Sequence, residues 1–121
     1  GMIIFGSTSG NVIETLGSFS VRMETVIPIL DKFTQDLQNG HIVERVVRQV
    51  ADKEWLLFVA GDFTTVVTLF VNEPSHYQTV VIQQMHRDFE NANRAYFRAD
   101  SLDASQLVYP FYSFVQNNMQ R

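Results

Sequence analysis

Only four residues, Ala60-Gly61-Asp62-Phe63, separate two apolar runs, Glu54 to Val59 (EWLLFV) and Thr64 to Val71 (TTVVTLFV). Both runs have the β-branched and aromatic content of strands. So short a link fixes their direction: they must be antiparallel, because a parallel pair needs a crossover of a dozen or more residues. An amphipathic helix then opens at Glu73-Pro74-Ser75-His76. Pro74 suits a first helical turn, and Ser75 with Gln78 forms a capping box. Tyr77, Val80, Val81, Met85, Phe89, Ala92 and Tyr96 share one apolar face and predict a helix running to about Phe97. The order strand–strand–helix commits the chain to a sheet with a helix on it. It favours a scaffold that presents surfaces over a catalyst.

Upstream, Met2 to Phe5 (MIIF) and Val12 to Leu16 (VIETL) read as two more strands, the second ending at Gly17. The intervening Gly6-Ser7-Thr8-Ser9-Gly10-Asn11 is hairpin chemistry, since Gly and Asn tolerate positive φ. From Met23 the period changes. Met23, Val26, Ile27, Leu30, Phe33, Thr34 and Leu37 fall on one helical face, and Asn39-Gly40 ends the helix. Pro28 is awkward in a helix interior, which places the firm start near Thr25. Residues 42–50 (IVERVVRQV) fit both periods. Ile42, Val43, Val46, Val47 and Val50 make a helical stripe, with Glu44 and Arg48 spaced as an ion pair. The β-branched content and the Ala51-Asp52-Lys53 turn into the next run favour a strand. Near the C-terminus, Leu107, Val108, Phe111, Tyr112 and Val115 recur at helical spacing, with Pro110 restricting the start.

Composition narrows the functional classes. A chain of 121 residues with 45% apolar and 18% charged residues is one globular domain with a real core. We read residues 2–97 as its core and 98–121 as a helical extension. The absence of cysteine excludes disulfides, thiolate metal sites and a cysteine nucleophile, and makes a cytoplasmic location the expectation. A net charge of −4 with no Lys/Arg run argues against nucleic acid and anionic membranes as partners. No apolar run is long enough for a transmembrane helix, and no basic segment precedes an apolar stretch as in a signal peptide. Gly1 ahead of Met2 reads as an expression-tag scar.

Two strings imitate catalytic motifs. His86-Arg87-Asp88 with Asn93 has the spacing of the protein-kinase catalytic loop, but it sits within a helical pattern whose polar members should be solvated. The Gly-rich phosphate loop, strand lysine and Asp-Phe-Gly of a kinase are missing. Residues 6–11 resemble the phosphate loop of flavodoxins, which offers a flavin- or phosphate-binding alternative through Ser7, Thr8, Ser9, Gly10 and Asn11. Flavodoxins, however, need parallel strands joined by crossovers. His41, His76 and His86 are expected at surface or boundary positions, with no metal site and no cofactor. Tyr109, Phe111, Tyr112 and Phe114 form either an interaction patch or a last helix packed on the domain's own sheet.

The predicted fold class is thus α/β of the α+β type: a mostly antiparallel five-stranded sheet ordered ββαβββα, with an added C-terminal helix. With MIIFGSTSGNVIETLG opening the chain and WLLFVAGDFTTVVTLFVNEPSHYQTVVIQQMHRDFENA ending its core, this order resembles the Roadblock/longin superfamily. The lack of a helix before the first strand and the extra C-terminal residues lean toward the longin branch. The resemblance implies a non-enzymatic, dimerising adaptor, homodimeric or heterodimeric, that regulates a small GTPase or serves an assembly complex. It places Val26, Leu30, Phe33, Val43, Val46 and Val47 near the subunit contact. A PAS- or profilin-like sensor shares the antiparallel sheet and is the remaining alternative.

Overall fold

The computed structural model describes residues 1–7, 10–40, 44–98 and 109–119. Strands β1 (Met2–Gly6) and β2 (Val12–Leu16) are followed by helix α1 (Met23–Gln38). Then come β3 (Arg45–Ala51), β4 (Glu54–Ala60) and β5 (Thr64–Phe70). Helices α2 (His76–Ala92), α3 (Arg94–Arg98) and α4 (Phe111–Met119) complete the chain. The sheet order is β2-β1-β5-β4-β3, with every neighbouring pair antiparallel. This is the α+β class that the sequence predicts. Helix α1 joins the two edge strands, so the sheet's central strand is β5, fully flanked by β1 and β4.

Helices cover both faces of the sheet, and each face has its own core. On one face, Val26, Leu30 and Phe33 of α1 pack against Ile3, Phe5, Leu56, Phe58 and Val67. On the other, Ile82, Met85 and Phe89 of α2, with Phe97 and Phe111, pack against Ile4, Leu57, Val59 and Val66. Alternate residues of each central strand therefore enter opposite cores, which is why these strands read as continuous apolar runs. The same layering explains β3. Val46 and Val50 lean on the α1 core and Val47 on the α2 core. Apolar residues on both sides of this strand are thus met by the chain's own helices, and a partner is not needed to account for them.

Several boundaries differ from the sequence reading. Helix α1 starts at Met23, two residues before Thr25, because Arg22 O already accepts from Thr25 N–H and Val26 N–H. Pro28 lies inside the helix, where its missing N–H deprives only Glu24 O on an exposed turn. Pro74 stands outside α2, one residue before the N-cap. Ser75 makes the capping box with Gln78. Val71 falls beyond β5. Asn93 breaks the predicted long helix into α2 and α3, and residues 42–43 and 107–108 lie outside the described residues.

The larger correction concerns the face of α2. Tyr77 and Val80 point to solvent, Tyr77 at 76% exposure, while Thr79, Ile82, Met85, His86, Phe89 and Glu90 are buried. The helix is turned so that two ionisable side chains enter the core. Arg87 and Asp88 are solvated as expected, but His86 and Asn93 are not. Buried polar groups persist only when hydrogen-bonded, and their partners define the site described next.

Candidate functional site

Glu90 is 4% exposed, and its carboxylate sits over the β4–β5 turn. Three successive backbone N–H groups donate to it: Asp62 at 2.9 Å, Phe63 at 2.8 Å and Thr64 at 2.7 Å. The Thr64 hydroxyl adds a fourth bond at 2.9 Å. Consecutive amides turned to one point form an anion-binding concavity, here filled by the protein's own side chain. Gly61 permits the approach: a Cβ at this position would lie 1.9 Å from Glu90 Oε1 and 2.5 Å from its Cδ. Arg94 flanks the turn, 3.4 Å from Asp62 Oδ2 and over the Phe63 ring at 5.4 Å.

His86 extends the chain of bonds, with Nε2 2.7 Å from Thr64 Oγ1. The Thr64 proton points at Glu90, so the hydroxyl accepts from His86 Nε2–H. Burial pushes the His86 pKa below its ordinary value, and Glu90, 3.8 Å from Nε2, pulls it partly back. A threonine, a histidine and a carboxylate in line suggest a nucleophile and its base, but the proton direction is opposite to what that chemistry needs. Thr64 is fully buried and gives its proton to the carboxylate, leaving the imidazole no proton to take. The arrangement clamps the turn to α2. Above it opens a cleft of about 360 Å3 whose wall includes Glu44, Gln83, Arg87 and Arg94.

A second carboxylate works similarly at the other end of the sheet. Glu14 of β2 accepts from Phe111 N–H at 2.8 Å and Tyr112 N–H at 2.9 Å, satisfying two free donors at the start of α4. Phe111 is buried and Phe114 and Val115 pack on the α2-side core, while Tyr109 and Tyr112 stay half exposed. The C-terminal aromatics thus divide between a helix packed on the domain's own core and an outward pair. Asn93 ties the ends together, donating to Phe89 O and Tyr109 O and accepting from Tyr109 N–H.

Of the flavin-type loop, the described residues are Gly6, Ser7, Gly10 and Asn11. Gly6 N–H donates to Asn11 O and Gly10 N–H to Gly6 O within the hairpin, and Ser7 N–H donates to Phe63 O beside β5. Gly10 takes φ +71°, and a strand follows where a phosphate site needs a helix. Thr8 and Ser9 lie outside the described residues, as does His41; His76 is exposed. Among the described residues, no group of His, Asp and Glu has the arrangement of a metal site. No helix among them is long and apolar enough to cross a membrane.

The residues placed near a subunit contact divide by depth. Val26, Leu30 and Phe33 are buried in the α1 core, Val46 and Val47 are half buried, and Val43 lies outside the described residues. Beside them, α1 and the edge strand β3 leave a groove of about 190 Å3, lined by Pro28, Ile29, Phe33 and Val46 with Lys32, Asp36 and Arg48 at its rim. Sequence reading missed Ile29, Lys32 and Arg48 because it followed the apolar stripe that faces inward. No protein-family model and no curated protein matches the sequence.

Proposed function

We propose that this chain is a non-enzymatic protein-interaction module of the Roadblock/longin kind, which pairs with a second copy of itself along the α1–β3 side. The groove beside an open strand edge carries this reading. β3 ends the sheet, so among the described residues its outer edge has no strand partner and, apart from Val47 O, which accepts from the Arg48 guanidinium, can pair with another strand. Charge favours a second copy as occupant. On this side β3 presents Arg48 and no acidic residue, Arg45 being bonded to Gln83 of α2, whereas α1 carries Glu24, Asp31 and Asp36 against Lys32 alone. A two-fold contact sets the helix of one subunit against the strand region of the other, and opposite charges then meet twice. Isolated exposed arginines on an edge also discourage indiscriminate strand pairing, so the same charges select the partner.

The element order ββαβββα with a C-terminal helix supports the family reading, and the family resemblance extends it to regulation of a small GTPase or an assembly complex. The hydrogen bonds of Gly6, Ser7 and Gly10 N–H to the protein's own backbone weigh against the flavin-type alternative. The sensor alternative loses the open sheet face a ligand would need, because helices occupy both faces. Sedimentation across a dilution series tests the pairing. A dimer that dissociates on dilution is expected for the native chain, and Lys32→Glu/Arg48→Glu, which alters only exposed side chains, should shift it to monomer. A strict monomer, or a dimer indifferent to that double change, refutes it.

A further inference from the structure

We infer that His86, Thr64 and Glu90 form an acid-sensitive latch: protonation of His86 loosens the hold of Glu90 on Asp62, Phe63 and Thr64 and opens the cleft above them. The bonds run in one direction, from imidazole to hydroxyl to carboxylate, and every lone proton in the line is already directed. A second proton on the ring adds charge to a side chain that is 2% exposed. The nearest counter-charge is Glu90, 3.8 Å away, whose oxygens already receive four donors. The second proton goes to Nδ1, so the charge enters a buried site whose carboxylate is already saturated by the turn. That charge is relieved when the ring leaves the line and the hold on the turn loosens. The latch bears on more than the turn, since Ala60 N–H, at its edge, holds Glu44 O immediately before β3.

The other charged groups around the cleft do not cancel this effect. Glu44 comes from the segment before β3, Asp62 from the turn, Arg87 from α2 and Arg94 from α3. Asp62 is occupied by Arg94, and the two guanidinium groups disfavour a further cation. β5 and α4 contribute no charged residue. The sign follows from burial. His86 is held below its ordinary value in the closed state and regains about 6.5 once the latch opens. The open state therefore binds more protons, and closure is favoured above that value and lost progressively below it.

Amide hydrogen exchange, corrected for intrinsic rates, reads the latch directly. Protection of Asp62, Phe63 and Thr64 should fall by up to about tenfold per pH unit below 6.5. At acid pH these amides should exchange faster than those of Leu56 to Phe58 in the same strand pair. In His86→Gln, which keeps a side-chain donor but cannot be protonated, the acid-dependent fall should vanish. NMR titration of the native chain supplies the same test without a variant: the His86 ring and the three amides should move with one midpoint. Protection that is independent of pH, exchange that merely tracks Leu56 to Phe58, or amide shifts without titration of His86 would overturn the inference. The result is read at the turn, so it stands or falls separately from pairing at β3.

Discussion

The two faces of the sheet are built to different standards. On the α1 face a single helix contributes Val26, Leu30 and Phe33 to an apolar core, and among the described residues no ionisable side chain is buried there. On the α2 face three helices pack, two carboxylates and an asparagine bond to backbone groups distant in sequence, and a histidine bonds to the Thr64 hydroxyl. Apolar packing tolerates slippage, whereas a directed bond network fixes one arrangement. The α2 face is therefore the more specified of the two, although a cleft opens beside its latch. The α1 face ends in a half-covered groove beside an edge strand, the surface on which the proposed pairing rests.

The contrast breaks most visibly at Glu90. Glu90→Ala leaves three backbone donors without their acceptor and should cost about 3 kcal/mol in denaturant unfolding. Truncating a surface residue of the α1 face, such as Lys32, should change little. Gly61→Ala should cost about 2 kcal/mol, since the new methyl group displaces the carboxylate. In a Glu90→Ala background the same change should be nearly neutral, so a double-mutant cycle must show strong coupling. Additive effects would mean that Gly61 serves the turn's backbone alone. Smallest is Ser75→Ala, which removes the cap of α2 and should cost about 1 kcal/mol, measured the same way.

What was legible in the sequence was local. The four-residue link between Val59 and Thr64 dictated the antiparallel pair, and Ser75 with Gln78 marked the start of α2. Gly40 closes α1 at φ +81°, the left-handed position that its neighbour Asn39 and the end of the apolar period announced. The face of α2 was misread for a physical reason. Apolar letters at Tyr77 and Val80 outvoted His86 and Glu90, whose burial depends on partners 22 to 28 residues away. No local pattern encodes such a partner. The one signal present was a glycine in the turn, and Gly61 has two meanings, chain reversal and room for a carboxylate. The groove escaped notice similarly, because Arg48 and Lys32 acquire a common location only when α1 lies beside β3.

Hydrogen exchange across a dilution series sets the two faces against each other in one experiment. As concentration rises, the outward amides of β3 between Arg45 and Ala51 should gain protection, while those of Asp62, Phe63 and Thr64 stay protected throughout at neutral pH. Outward β3 amides that exchange equally fast at every concentration would contradict the proposed α1–β3 pairing.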